Sequence, residues 1–229
     1  MAMKLDTSMS FRVTILKRCC LVACFLSLIA TSVALGQAAN SPVAFVNEEA
    51  ITTSFVPATN LGTSSSGGGT PGQWLKVEFH YGTTANLTTK YLDAVQFKIW
   101  IEGLDLLAKN APVPGKGVAV ALTGSVDYIN VPAGKDLYGV FYVHPNTLGR
   151  YSDDRGAENF DRKYNIHLEA YVNGQLMDHF DKRKDPMGDD WFTKLVPIPN
   201  LVYRQDQSPF FLNDVDRYPA IKLANPAAQ

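Results

Sequence analysis

The chain has 229 residues, 46% of them hydrophobic and 19% charged, with a formal net charge of −1. That balance supports one sizeable buried core and excludes a basic face built for nucleic acid or anionic lipid. All three cysteines, Cys19, Cys20 and Cys24, sit in one N-terminal apolar run, which leaves the remainder without disulfide staples, thiolate zinc sites or a thiol nucleophile.

Lys17 and Arg18 close a basic leader, residues 19–35 are apolar apart from small hydroxyls, and Ala34-Leu35-Gly36 places small residues where a signal peptidase reads. The pattern predicts a signal peptide over 1–36, a mature start at Gln37, and export to the periplasm, the outer cell surface or the medium. Retention of the run as a membrane anchor is one alternative, although its length falls at the lower edge of what spans hydrocarbon. Lipidation at Cys24, after Leu21-Val22-Ala23, is another. Membrane contact is expected only through this segment if it stays uncleaved. Its removal takes away Lys4, Arg12, Lys17 and Arg18 against Asp6 and brings the formal charge to −4.

Residues 37–61 form an N-terminal segment in which 43–46 and 51–56 are β-prone. They are able to add an edge strand to the later domain or to pair with another chain. Residues 62–72, rich in Gly, Ser and Thr, cannot bury enough apolar surface to hold one shape and read as a flexible linker.

From 73 to 229 the reading is a β-sandwich domain with a C-terminal extension. Leu75, Val77, Phe79 and Tyr81 alternate with polar neighbours, as do Val95, Phe97, Ile99 and Ile101, the period of strands with one buried face. Further strands are predicted near 118–131, 137–144, 164–172 and 175–180, and 104–108 is read as a helical turn at most. Short turns and no crossover helices predict an all-β, immunoglobulin-like antiparallel β-sandwich.

One hairpin can be registered. Asn173-Gly174 suits a two-residue turn with positive φ at both positions, so Val172 should face Gln175. Continued without interruption, that register puts Ile166, Leu168, Ala170, Val172 and Met177 on the core face. The other face then places Glu169 directly across from Asp178, with His167 two residues along. Facing carboxylates repel unless a cation lies between them, so His167, Glu169 and Asp178 form a candidate divalent-metal site, the acids favouring calcium and the imidazole zinc. The competing reading is a solvated strand face whose acids find Lys or Arg from a neighbour. No cofactor is expected, a divalent metal being the exception that this site would supply.

Nucleophilic catalysis has little to build on. There is no Gly-x-Ser-x-Gly elbow, serine concentrates in the linker, and the paired acids Asp153-Asp154 and Asp189-Asp190 read as surface polarity. Recognition has more. Long polar loops over 146–160 and 181–191 are expected contact regions, with Tyr151, Asp153, Asp154, Arg155, Lys182, Arg183, Lys184 and Trp191 as candidate partner-binding residues. Trp74, Trp100 and Trp191 are candidate platforms for sugar rings, with core packing as the alternative for tryptophans on the polar phase of a strand.

Gln73-Trp74-Leu75-Lys76-Val77-Glu78, Tyr91-Leu92-Asp93-Ala94-Val95, Leu122-Thr123-Gly124, Tyr128-Ile129-Asn130-Val131-Pro132, Tyr142-Val143-His144-Pro145 and Leu148-Gly149-Arg150-Tyr151 together resemble secreted immunoglobulin-like proteins encoded beside type IV pilus machinery in verrucomicrobial-type bacteria. The resemblance covers much of 73–180. It implies a non-enzymatic envelope or surface component whose partners are envelope or pilus-associated proteins, and it supplies no catalytic residues. A bacterial prepilin, by contrast, has a leader ending in glycine and a glutamate near the start of its retained helix. This chain has no glycine before Cys19 and no acid within its apolar run, so an accessory role fits better than a polymerising subunit. The leading expectation is an exported binding or structural protein, with a carbohydrate-binding module and a metal-dependent hydrolase as the alternatives.

Overall fold

Alternation of apolar and polar residues produces strands, and strands dominate the computed structural model of the chain. It describes residues 41–46, 49–57, 72–84, 90–109, 117–152, 165–183 and 188–223. Among these the strands are β1 (Val43–Phe45), β2 (Ile51–Pro57), β3 (Gln73–Thr83), β4 (Tyr91–Asp105), β5 (Val118–Pro132), β6 (Gly134–Val143), β7 (Ile166–Val172), β8 (Gln175–Lys182), β9 (Val196–Pro199), β10 (Val202–Arg204) and β11 (Ala220–Ile221). Two short helices, α1 (Pro145–Tyr151) and α2 (Trp191–Lys194), and a 3-10 turn over Gln205–Gln207 complete the elements. The signal segment and all but one residue of the linker fall outside the described residues.

The strands make two sheets. In the first, β3 lies between β6 and the pair β1 and β2, and β10 follows β6. In the second, the order β5-β4-β7-β8 is bordered on the β5 side by β9 and β11. Every pairing is antiparallel except β9 with β5. The all-β sandwich expected from the alternation is therefore what forms. The N-terminal segment adds to it in full register, Ile51 opposite Phe79 through Pro57 opposite Gln73, and it belongs to the same compact unit as the rest of the sandwich.

The residues that alternate inward are sealed between the sheets. Leu75, Val77, Phe79 and Tyr81 from one sheet meet Val95, Phe97, Ile99 and Ile101 from the other, all buried. Phe79 and Phe97 stand 4.7 Å apart between ring centroids, with Tyr81 at 4.8 Å from Phe97. Gly139 is required by this packing, because a Cβ there would enter the Phe79 ring. Within the core the Val140 amide donates to the Tyr128 hydroxyl of the other sheet at 3.1 Å.

The ends of the elements depart from expectation in small ways. β4 continues to Asp105, so 104–108 is a strand end and a hydrogen-bonded turn, Ala108 N to Asp105 O, rather than a helical turn. The first part of the loop expected over 146–160 is α1, started by Pro145 at its first position and capped by the His144 imidazole accepting from Asn146 N at 3.0 Å. β9 contains Pro197 and Pro199. Only Val196 and Ile198 have N–H groups to give β5, so the outward edge of β9 carries no donor.

Candidate functional site

The outer face of the second sheet brings together most of the residues singled out above. Strand pairing aligns Trp100 with His167 and Lys98 with Glu169 across β4 and β7. The Asn173-Gly174 turn forms as expected, with φ of 53° and 77° and Val172 opposite Gln175. Beyond it the expected register fails. A bulge after the Tyr171–Leu176 pair takes up Met177, and the next pairs are Ala170 with Asp178, Glu169 with His179 and His167 with Asp181. One extra residue moves every later side chain of β8 to the opposite face.

The expected triad of His167, Glu169 and Asp178 is therefore not assembled. Asp178 turns toward β1, where its carboxylate accepts from Phe45 N at 2.8 Å. Asp181 takes its place beside the imidazole, with Nδ1 of His167 2.9 Å from its Oδ1. Nε2 of His167 lies 3.3 Å from Oε1 of Glu169. No group of three or more His, Cys, Asp or Glu side chains arranged to hold a metal occurs among the described residues.

Helix α2 closes this face. Phe192 stacks on the His167 ring at 3.7 Å and 12°, and Trp100 approaches both rings. Trp191 Nε1 donates to Asp181 at 3.3 Å, and Arg183 bridges Asp181 at 3.2 Å and Asp189 at 2.7 Å. Burial pushes the Asp181 carboxyl up, but the hydrogen bonds and charge of His167, with Arg183 and Trp191, more than offset it and hold the group below its ordinary value. His167 is 2% exposed, so its imidazole has no room for a reacting molecule. The arrangement clamps β7, the bulged β8 and α2 together.

Several contact candidates are corrected by the same packing. Trp191 is 1% exposed and belongs to the interior, so it serves neither a partner nor a sugar. Trp74 is buried edge-on against His144, Tyr203 and Phe210, covered by the C-terminal tail. Tyr151 is buried at the end of α1, against Gly103 of β4. Arg183 is committed to two intrachain carboxylates, and Lys182 is half-buried at the end of β8. Asp153, Asp154, Arg155 and Lys184 lie outside the described residues. Trp100 remains half-exposed and lines an open slot of about 320 Å³ with Lys98, Thr123, Ser125, Pro197 and Pro199.

The outer face of the first sheet holds a second cleft, of about 580 Å³, which alternation alone could not reveal because the tail builds part of it. Glu49, Thr52, Glu78, His80, Tyr138 and Arg217 line it. His80 stacks on Tyr138 at 4.6 Å, and the Arg217 guanidinium lies 4.2 Å from the same ring. Glu78 accepts from the Tyr218 hydroxyl at 2.6 Å and Arg217 at 2.8 Å, and pairs with Lys76 at 3.0 Å. Burial raises the Glu78 carboxyl, and these donors together carry it below its ordinary value. Among the described residues the lining includes no serine or cysteine.

Comparison with known proteins agrees with the architecture. No curated protein matches the chain. A crystal structure of a protein from Akkermansia muciniphila, a verrucomicrobial bacterium, superposes with a TM-score of 0.61 at 20% identity, covering 80% of this chain and 93% of that one. At that identity the likeness speaks for the fold alone. One protein-family model matches residues 39–225, taking in both sheets, the helices and the tail, and the chain belongs to the family which that model describes.

Proposed function

We propose that this protein is an exported, non-enzymatic binding or structural component of the cell envelope, acting as an accessory of a surface or type IV pilus-like apparatus. The observation that carries the reading is the fate of His167. The imidazole with two flanking carboxylates, the most reaction-like set among the described residues, is spent on intrachain contacts beneath Phe192. What the folded body offers outward is instead held shape, in clefts and exposed apolar side chains. The resemblance to secreted proteins encoded beside pilus machinery supports the envelope assignment.

Affinity capture from envelope extract of the source cells tests this, with bound proteins identified by mass spectrometry against an unrelated sandwich as control. Envelope or pilus-associated proteins enriched by this chain are expected, and fewer of them after residues 184–187 are replaced by a Gly-Ser turn. Equal recovery on the control sandwich would remove the binding role.

Trp100 favours a second reading, since its ring shares the 320 Å³ slot with the polar side chains of Lys98, Thr123, Ser125 and Asn200, the mixture that holds a sugar. Glycan-array binding abolished by Trp100→Ala, with the melting temperature retained, is its expected signature. An array without signal for the wild-type protein ends it.

A further inference from the structure

After β10 the chain makes a loop whose shape is fixed from within. The buried Gln205 side-chain amide donates to the carbonyls of Phe210 and Asn213. Ser208 Oγ donates to Gln205 O at 2.8 Å and accepts from Phe210 N at 3.2 Å. Phe210 anchors the loop in the interior, stacked on Tyr142 at 4.8 Å. Farther on, Arg217 N donates to Asp214 O, and the Arg217 and Tyr218 side chains fasten to Glu78. A loop so pinned cannot fold its own apolar side chains away.

Three such side chains are left in water. Phe211 is 53% exposed, Leu212 71% and Val215 56%. They lie on one short loop that also carries two acids, Asp214, 3.9 Å from Lys76, and the exposed Asp216. An apolar tip held rigidly against the hydrophobic effect is the signature of a contact surface. The acids beside it disfavour an anionic lipid surface and select a partner that carries a cation.

The same molecule carries a matching receptor. The slot of about 320 Å³ is walled by the Trp100 indole and the rings of Pro197 and Pro199, with Lys98 at its side. Lys98 lies over the Tyr171 ring at 4.4 Å and makes no ion pair among the described residues. The loop bearing the tip is fastened to the outer face of the first sheet through Arg217, Tyr218 and Glu78, before the chain joins β5 as β11, whereas Lys98 and Trp100 lie on the outer face of the second. Tip and slot therefore belong to different faces of the sandwich.

We propose that the Phe211-Leu212 tip of one copy seats in the Trp100, Pro197 and Pro199 slot of the next, with Asp216 set against Lys98. The contact joins two different surfaces, so it is heterologous, and it propagates into a chain of subunits unless the rotation between them closes a ring. It goes beyond the envelope reading above and stands or falls without it.

Sedimentation velocity on the full chain tests the contact, using Leu212→Asp at the tip and Ser125→Glu in the slot. Both positions are outside the core, and each variant should keep the wild-type melting temperature. The wild type is expected to grow beyond a dimer as concentration rises, and less so at high salt. Each variant alone loses that growth. An equimolar mixture of the two restores a single 1:1 complex that extends no further, because only one intact tip and one intact slot remain to join. A wild type that stays monomeric, growth unchanged in either variant, or a mixture that remains monomeric overturns the proposal. Leu212-dependent binding to phosphatidylglycerol vesicles without self-association would also overturn it, assigning the tip to a lipid surface.

Discussion

The two outer faces of the sandwich each carry a shielded carboxylate held by several donors, but the donors come from different distances along the chain. On the second sheet, Asp181 is held by His167, Arg183 and Trp191, all within 14 residues of it. On the first, Glu78 is held by Lys76 beside it and by Arg217 and Tyr218, 139 and 140 residues later. The first arrangement closes a face with a local clamp that includes an ordered helix. The second fastens the end of the chain to the body, and its loss should free the tail while the sandwich stays folded.

Truncating the core both faces share gives the largest effect. Phe97→Ala, which removes the ring meeting Phe79, Tyr81 and Phe45, should cost about 3–5 kcal/mol in chemical denaturation. Both faces should unfold in the same transition, and separate transitions would mean that they are independent. His167→Ala should cost about 2 kcal/mol, because Asp181 and Glu169 lose the group between them in a poorly solvated place. Hydrogen exchange should then rise in β7, β8 and α2 and not in the tail.

Glu78→Gln should cost about 1 kcal/mol, with faster exchange confined to 205–221. Acid gives the same comparison without mutation. Glu78 and Asp181 both sit below their ordinary values of 4.5 and 3.8 in the folded protein. Their contribution is therefore complete at neutral pH and is lost as pH falls past those values through the folded ones. Melting temperature should drop over that acidic range, and by less in Glu78→Gln. Tyr81→Phe gives the smallest effect. The Tyr81 hydroxyl is buried with no hydrogen-bond partner among the described residues, so its removal should leave stability unchanged or raise it by up to about 1 kcal/mol.

The sandwich was legible because inward alternation at Leu75–Tyr81 and Val95–Ile101 survives any detail of the loops. The Asn173-Gly174 turn was legible because its backbone demands positive φ. The bulge at Met177 was not, since an extra residue in a strand leaves no mark on composition, and that single residue exchanged Asp178 for Asp181 in the site. Trp74 falls on the polar phase of its strand, where alternation cannot tell an open face from a covered one, and Trp191 falls in what reads as a loop. The layers that cover them, the tail and α2, have no periodicity of their own. Tyr151 read as a loop contact because a seven-residue helix begun by proline and containing Gly149 looks like punctuation.

The prolines of β9 set a rule for how this protein can combine with others. With both N–H donors of the strand turned inward, the outward edge of β9 offers carbonyls alone, and a stray strand from a crowded neighbour cannot build a full ladder of main-chain bonds on it. A larger structure built across that flank leans on side chains fitting into hollows, a kind of joint that releases and reforms without unravelling the parts.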